Sequence, residues 1–338
     1  MPHCYARRVE LGLPVCPSAP ATASSKSMSE RKILVTGGAG YIGSILVPAL
    51  LARGHAVRVI DKFVHAQPTL LDCCADKKLE IVRGDSRDES LVEKHLRDRD
   101  TIIPLAALVG APLCDADKIG AVSTNLDAVR SILKLKSPRQ HVLFPCTNSG
   151  YGIGEAGVYC TEESPLRPIS LYGTTKVDAE RAVLDAGGLS LRLATVFGAS
   201  PRMRTDLLVN DFVARAVTDR SVLIFEGHFK RNYIHVRDVA RAMIHSLDHW
   251  SEMSGPYNVG LSDANISKLE LCAKIKEHVP GFTYIEAAIG EDPDKRNYLV
   301  SNEKIERSGF RPQYSLDDGI EELIRAYQVI RLKQYGNY

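Results

Sequence analysis

Short apolar runs alternate with amphipathic, helix-like stretches through most of the chain, a pattern typical of α/β proteins with a parallel sheet. The apolar runs that predict strands lie at 33–36, 57–60, 79–85, 101–107, 141–147 and 189–195. The stretches that predict helices lie at 44–53, 89–98, 119–135 and 172–184. Because strands and helices take turns, we expect a doubly wound, mainly parallel sheet.

The pattern changes after residue 196, where loops interrupt the periodicity. A helix is predicted at 206–217, and a strand that leads into a helix at 233–240. The remaining residues alternate short strands and helices, and a helix that Ser315 caps comes last. We expect a nucleotide-binding lobe formed by residues 29–195, to which 232–260 returns. We expect a smaller α/β substrate lobe formed by 196–231 and 261–338.

A glycine-rich turn joins the first predicted strand to the first predicted helix. Its sequence is Gly37-Gly38-Ala39-Gly40-Tyr41-Ile42-Gly43. Gly37 permits a tight turn, Gly40 lets the backbone approach a pyrophosphate, and Gly43 lets the helix pack closely on the sheet. Because free N–H groups at a helix start attract phosphates, we expect this turn, including Tyr41 and Ile42, to bind a dinucleotide.

An acidic residue, Asp61, closes the second predicted strand, 18 residues after Gly43. Its carboxylate can accept hydrogen bonds from the adenosine ribose and would repel the 2′-phosphate of NADP, so NAD is the expected cofactor. Lys62 follows directly and weakens that preference. Asp85, after the third strand, is expected near the adenine, with helix N-capping as a second role. The fourth strand runs into small residues, so the dinucleotide is expected to lie on Leu105, Ala106 and Ala107.

The candidate catalytic residues are Thr147, Tyr172 and Lys176. Tyr172 and Lys176 are four residues apart, so they share one face of a helix, and Thr147 ends the strand before it. Hydride transfer to NAD⁺ from a carbinol carbon needs a base for the hydroxyl proton, and a tyrosine serves if its pKa falls well below about 10. A lysine ammonium one turn away stabilises the phenolate.

Composition argues against several classes of partner. The net charge of +2 arises entirely before Met28, so nothing indicates nucleic-acid binding. No apolar run approaches the ~20 residues of a membrane helix. The eight cysteines show neither metal-ligand spacing nor a disulfide framework, which predicts reduced thiols in a cytoplasmic protein without a metal. Residues 1–28 are rich in Pro, Ala and Ser and lack the apolar core of a secretory signal, so they are predicted to be a disordered tail.

Over about residues 31–335 these motifs resemble the extended short-chain dehydrogenase/reductases of the NAD-dependent epimerase/dehydratase family. The family pattern S/T-x-x-x-Y-G matches 147–152, Y-x-x-x-K matches Tyr172 and Lys176, and R-x-Y/F-I/V-H-V-x-D matches 231–238. The resemblance implies a Rossmann sheet with a smaller substrate lobe, NAD as cofactor, and a nucleotide sugar as substrate. It also implies that Tyr172 and Lys176 contact the cofactor, and that a homodimer packs helices 119–135 and 173–184 together.

The residue two places before the tyrosine of the T-x-x-x-Y-G pattern bears on the reaction. The sugar 4,6-dehydratases of the family carry an acid there, whereas this chain has Ser149. Without that carboxylate, loss of water lacks its usual acid, which favours oxidation and reduction at C4, as in a nucleotide-sugar 4-epimerase. Two alternatives stay open: a dehydratase that uses another acid, such as Glu155, and an NAD-binding regulator without turnover.

Several polar side chains are candidates for substrate binding. Asn148 and Ser149 adjoin the catalytic threonine, while Arg231 and Arg296 carry planar guanidinium groups that fit diphosphate oxygens. Asn210 can either contact a phosphate or support its helix.

Four further residues have simpler expectations. Arg202 and Arg204 are predicted to be either phosphate ligands or solvated loop charges. His235 is expected to be packed rather than catalytic, and by resemblance Asn125 supports the active-site lysine.

Overall fold

The structure is a computed structural model that describes residues 30–65, 67–290 and 295–330. In chain order the strands are β1 (Lys32–Thr36), β2 (Ala56–Asp61), β3 (Leu79–Arg83), β4 (Thr101–Pro104), β5 (His141–Thr147), β6 (Tyr159–Cys160), β7 (Leu189–Leu193), β8 (Thr195–Phe197), β9 (Ser221–Ile224), β10 (Lys230–His235), β11 (Gly255–Val259), β12 (Asn265–Ser267), β13 (Thr283–Glu286) and β14 (Leu299–Val300). The helices are α1 (Gly43–Ala52), α2 (Glu89–Leu96), α3 (Ala111–Ala116), α4 (Lys118–Val122), α5 (Ala128–Leu135), α6 (Leu171–Asp185), α7 (Leu208–Thr218), α8 (Val236–Asp248), α9 (Lys268–His278), α10 (Glu303–Arg307) and α11 (Leu316–Val329). The tail predicted at 1–28 lies outside the described residues.

Seven parallel strands form the large sheet, in the order β11-β7-β5-β4-β1-β2-β3. The chain winds outward from β1 to β3 and then resumes beside β1 with β4, on the opposite side. The predicted doubly wound sheet is therefore confirmed. Such a reversal opens a crevice at the carboxyl ends of β1 and β4, where ligands bind in this class of fold.

Helices cover both faces of the large sheet because its central strands are apolar on both sides. In β1, Ile33 and Val35 belong to a core shared with α1 and α8, whereas the intervening Leu34 packs with α2, α5 and α6. All three side chains are fully buried. This alternation places the two helical layers on opposite faces, as the period-two geometry of a strand requires.

The second lobe contains three small sheets, β12-β10-β8, β13-β9 and β14-β6. Of the segment 232–260, which the sequence assigns to the nucleotide lobe, α8 packs on α1 and β11 completes the large sheet. Strand β10 instead pairs with β8 and β12. The short β6 also leaves the nucleotide lobe to pair with β14.

The last described helix begins as predicted. Ser315 accepts a hydrogen bond from the Asp318 backbone, and the Asp318 carboxylate accepts one in return from the Ser315 N–H, forming a capping box. Within the described ranges, no helix has both the length and the apolar character needed to cross a bilayer.

Candidate active site

The glycine turn joins β1 to α1, and each of its three motif glycines meets a different constraint. Gly37 has φ +70°, and a Cβ on it would lie 2.5 Å from the backbone nitrogen of Ala106, after β4. A Cβ on Gly43 would lie 2.5 Å from the Gly38 carbonyl oxygen, so the close packing occurs within the turn, whereas the sequence predicted it against the sheet. The turn therefore brings the ends of β1 and β4 into direct contact.

Gly40 and the start of α1 fit a pyrophosphate. A Cβ on Gly40 would have one described neighbour within 4 Å, the Gly37 carbonyl oxygen at 3.1 Å, so this side of the turn is open to a ligand. Helix α1 begins after Ile42 without a side-chain cap and without an acid in its first turn. Its free N–H groups and positive dipole end are therefore available to an anion. The residues present fit the phosphates of NAD.

Asp61 ends β2 and ties it to the glycine turn. Its Oδ2 accepts a hydrogen bond from the Ala39 N–H at 2.9 Å, and its Oδ1 accepts one from the Phe63 N–H at 2.7 Å. Each carboxylate oxygen keeps a second lone pair, which a ribose hydroxyl can use. Asp61 therefore keeps acceptor positions beside the glycine turn, and its contact with the ribose stays a prediction.

Asp85 lies just beyond β3 and is held by two cations. Arg87 donates to its carboxylate at 2.6 Å, and the Lys62 ammonium lies 3.4 Å away. Hydrogen bonds from Arg87 lower the pKa of Asp85 to about 2. The suggested N-cap role for Asp85 is wrong, because the cap of α2 is Asp88. Pairing with Asp85 also offsets the Lys62 charge beside the ribose position.

The loop after β8 is bonded onto the glycine turn, a contact that sequence reasoning missed. The Tyr41 hydroxyl donates to the Gly198 carbonyl at 2.7 Å, and Ser200 Oγ donates to the Tyr41 carbonyl at 2.7 Å. Ser44 Oγ lies 2.8 Å from Ser200 Oγ. Tyr41 and the start of α1 therefore anchor the second lobe to the cofactor turn.

Helix α6 carries Tyr172 and Lys176 at the crevice, with Ser170 as its cap. The Lys176 side chain is 5% exposed, and its Nζ lies 4.0 Å from the ring centroid of the buried Phe144 on β5. Burial lowers the pKa of Lys176 to about 8. Burial also raises the pKa of Tyr172 to about 12, while the guanidinium groups of Arg204 and Arg296 act in the opposite direction.

Thr147 and Ser149 interact at the carboxyl end of β5. Thr147 Oγ1 donates to Ser149 Oγ at 2.9 Å, and the Ser149 N–H donates back to Thr147 Oγ1 at 3.1 Å. Arg296 Nη1 also donates to Ser149 Oγ. The structure thus joins three predicted site residues through one serine hydroxyl, although Arg296 is distant from the other two in sequence.

The predicted helix at 119–135 contains a π turn, Ser123–Asp127, between α4 and α5. The wider turn directs Asn125 inward, where it is 1% exposed. Its amide bonds both the N–H and the carbonyl of Leu108, at 2.8 and 2.9 Å, and Nδ2 approaches Thr175 Oγ1 at 3.4 Å. Asn125 therefore connects the segment after β4 to the residue preceding Lys176.

Arg202 and Arg204 are buried, at 2% and 8% exposure, so the expectation of solvated loop charges is wrong. Arg202 Nη2 lies 3.1 Å from the His65 ring nitrogens, and Arg204 pairs with Asp206 at 2.5 Å. Asn210 is fully buried; its Oδ1 accepts from the Gly198 N–H at 3.0 Å and its Nδ2 donates to the Arg204 carbonyl at 2.8 Å. Asn210 had two suggested roles, and these bonds fit the one in which it supports its own helix.

His235 and Arg231 both lie on β10. His235 is fully buried, as expected for a packed residue, and its Nε2 lies 2.7 Å from Glu322 Oε2. Arg231 is 3% exposed, donates to the Lys230 carbonyl at 3.0 Å, and lies 5.9 Å from the Tyr298 ring centroid.

A buried polar network behind α6 was not predicted. Glu180, one turn beyond Lys176, is 1% exposed and pairs with Arg192 at 3.0 Å. Arg192 also donates to the Tyr151 hydroxyl at 3.0 Å, and that hydroxyl donates to Asn258 Oδ1 at 2.7 Å. The network locks the turn that follows Thr147 to α6. The signal for this network that the sequence offered was the position of Glu180, four residues after Lys176 on the same helix.

No group of His, Cys, Asp or Glu side chains in the described ranges is arranged to hold a metal ion. The described residues bring hydroxyl, ammonium and guanidinium groups to the crevice, beside a turn that fits a dinucleotide.

Known proteins resemble this chain in both sequence and structure. The "Low-salt glycan biosynthesis protein Agl12" of Haloferax volcanii is 30% identical over 311 residues, covering 87% of this chain and 98% of that protein. The NAD complex of the UDP-glucose 4-epimerase of Thermus thermophilus superposes with a TM-score of 0.76 at 26% identity, covering 88% and 99% of the two chains. DesIV, the dTDP-glucose 4,6-dehydratase of Streptomyces venezuelae, superposes with a TM-score of 0.77 at 27% identity, covering 88% and 97%.

The sequence profile of a single family spans most of the described chain. It matches residues 33–260, from β1 through the end of β11, and so includes the glycine turn and the catalytic helix. The chain belongs to the NAD dependent epimerase/dehydratase family.

Proposed function

We propose that this protein is an NAD-dependent enzyme that oxidises and reduces a nucleotide sugar at C4, acting as a 4-epimerase. The observation that carries the proposal is the site at the sheet crevice. There Tyr172 and Lys176 share one face of α6, which packs on β5, while 147–152 holds hydroxyls and no carboxylate. The similarity to a UDP-glucose 4-epimerase and to a dTDP-glucose 4,6-dehydratase supports NAD-dependent chemistry on a nucleotide sugar, and the missing carboxylate favours the epimerase.

In the proposed reaction the glycine turn and Asp61 would hold NAD⁺, which would accept the C4 hydride and return it to the opposite face of the 4-keto sugar. Tyr172, as the phenolate, takes the proton from the C4 hydroxyl and returns it after the sugar has presented its other face. The Lys176 ammonium would stabilise that phenolate, and the guanidinium groups of Arg204 and Arg296 already oppose the rise in the Tyr172 pKa that burial causes. Thr147 orients the substrate oxygen.

The position of Glu155 disfavours the dehydratase alternative. Glu155 lies exposed in the turn before β6, where its carbonyl accepts from the Val158 N–H at 3.1 Å. A general acid is most effective when it is held within hydrogen-bonding reach of the leaving group. An exposed turn residue meets that requirement less well than a side chain of the 147–152 segment.

The proposal extends to assembly and compartment. We expect a homodimer through the helices at 119–135 and 173–184, and Ile119 at that surface is 85% exposed. Six described cysteines are unpaired, which supports a reducing, cytoplasmic location. Light scattering at micromolar concentration tests the dimer, and a monomer there would refute it.

The test of function is a panel of UDP-, GDP-, CDP- and dTDP-sugars that carry deuterium at C4. An epimerase returns the label to C4 of the inverted sugar, observed by NMR and mass spectrometry. Loss of water with displacement of the label from C4 would instead establish a dehydratase. Binding of NAD without turnover of any sugar in the panel would favour a regulator.

Two variants check the assigned roles in the same assay. Tyr172→Phe is expected to lower turnover by roughly 10²–10⁴ while leaving NAD binding almost unchanged, because it removes only the acid/base hydroxyl. Ser149→Ala is expected to cost much less, since Ser149 bonds Thr147 and Arg296 and is not itself the acid. Equal losses in the two variants would contradict this assignment.

A further inference from the structure

Asn148 combines deep burial with an unused side-chain amide. It follows β5 and opens the short 3₁₀ turn Asn148–Tyr151. The side chain is 1% exposed, and within the described structure neither Oδ1 nor Nδ2 has a hydrogen-bonding partner. An amide offers two donors and two acceptor positions, and leaving them unpaired away from water costs free energy. A buried orphan of this kind calls for a physical explanation.

Three other buried asparagines around the site use both the oxygen and the nitrogen of their side-chain amides. Asn125 bonds Leu108 through both amide atoms. Asn210 and Asn258 likewise use both the oxygen and the nitrogen of their side chains. Among the buried asparagines that the structure describes, Asn302 lacks a partner for its Oδ1 alone, whereas Asn148 lacks partners for both amide atoms.

The location of Asn148 indicates which molecule supplies the missing hydrogen-bonding partners of its amide. It stands at the carboxyl end of β5, which lies next to β4 in the sheet, at the edge where ligands bind. Its chain neighbours are Thr147 and Ser149, whose hydroxyls bond each other, and Ser149 also accepts from Arg296. Asn148 therefore stands in the chain between two hydroxyl residues of the candidate site.

We propose that the Asn148 amide binds the sugar of the nucleotide-sugar substrate, pairing with a substituent that both donates and accepts a hydrogen bond, such as a hydroxyl or an acetamido group. This inference rests on the proposed function and names a residue that selects the sugar. An amide does not transfer protons at neutral pH, so Asn148 recognises the sugar without taking part in the acid/base step.

This role predicts that replacing Asn148 changes sugar binding but not the melting temperature. Asn148→Ala removes no side-chain hydrogen bond within the described structure, so the ligand-free variant should keep its melting temperature. Asn258→Ala is the matched control, because its amide bonds Tyr151 and Ser301 and its loss should lower the melting temperature. For sugar binding the expectation reverses: Asn148→Ala should weaken it about 5–30-fold, the usual weight of one or two hydrogen bonds.

The experiment uses isothermal titration of UDP-glucose, UDP-N-acetylglucosamine and NAD into the full-length wild type, Asn148→Ala and Asn148→Asp. Weaker binding of either sugar nucleotide by both variants, with unchanged NAD affinity, supports the inference. A loss confined to NAD would overturn it in favour of a contact to the nicotinamide carboxamide. Unchanged sugar affinity with a lowered melting temperature would overturn it in favour of a structural role. If the wild type binds neither, the same titrations use the remaining GDP-, CDP- and dTDP-sugars of the panel; failure to bind any of them would refute the proposed function, and the inference with it.

Discussion

Replacing Phe144 by leucine tests how the buried lysine keeps its charge. Lys176 is 5% exposed, and burial already lowers its pKa to about 8, against an ordinary value of 10.5. The face of the Phe144 ring, 4.0 Å from Nζ, is an attractive contact for the ammonium group. Leucine retains an apolar side chain on β5 but removes the ring.

The size of the effect follows from that contact. A desolvated cation–π contact contributes about 2 kcal/mol, and one pKa unit corresponds to about 1.4 kcal/mol. Losing the ring should therefore lower the pKa of Lys176 by roughly 1–1.5 units. The ammonium form is lost as the pH rises through this pKa, so the variant should lose activity at lower pH than the wild type.

The assay is kcat/KM as a function of pH, which reports groups of the free enzyme. We expect the alkaline limb of Phe144→Leu to move downward by roughly one unit. Phe282→Leu is the control, because Phe282 is equally buried but packs beside Tyr284 in the second lobe. It should lose stability without a shift of the profile. A Phe144→Leu profile that superimposes on that of the wild type would refute the reasoning.

Three further predictions concern the framework of the site. Gly40→Ala should weaken NAD binding and lower the melting temperature less than Gly37→Ala, because a Cβ on Gly40 meets one backbone oxygen at 3.1 Å whereas a Cβ on Gly37 meets the Ala106 backbone at 2.5 Å; NAD titration and thermal melts separate the two. Glu180→Gln should cost about 3–5 kcal/mol in urea unfolding, since Arg192 would stay buried without its counter-charge. Burial opposes ionisation of Glu322, yet its hydrogen bonds lower its pKa to about 2. Its contribution to stability should therefore be complete above about pH 4.5 and disappear as the pH falls towards 2, and acid unfolding of Glu322→Gln should lack it.

The glycine turn and helix α6 could be predicted because their signals are local. Three glycines at fixed spacing, Asp61 after the next strand, and Tyr172 four residues before Lys176 are properties of short segments. Strand β5 matched its predicted bounds because its apolar run is continuous. Local rules of this kind fix which elements form and which residues stand at their ends.

Contacts between distant segments could not be predicted in the same way. Arg202 and Arg204 follow a loop-like pattern, and only the folded structure shows that they are covered. The cation–π contact of Lys176 depends on how α6 lies over β5, and the inward turn of Asn125 depends on a π turn that no helix propensity encodes. These features arise from packing between elements, which a single-residue pattern does not contain.

The position of β11 in the large sheet has a consequence for biosynthesis. Strand β7 ends at Leu193, but β11, which covers its outer edge, ends at Val259, after much of the second lobe has been made. At about 5–20 residues per second, a ribosome needs roughly 3–13 s to add that length. During this interval the catalytic helix is already synthesised while the backbone of β7 has an open edge. Nascent chains stalled in this window should therefore be the form of the protein that depends most on chaperones.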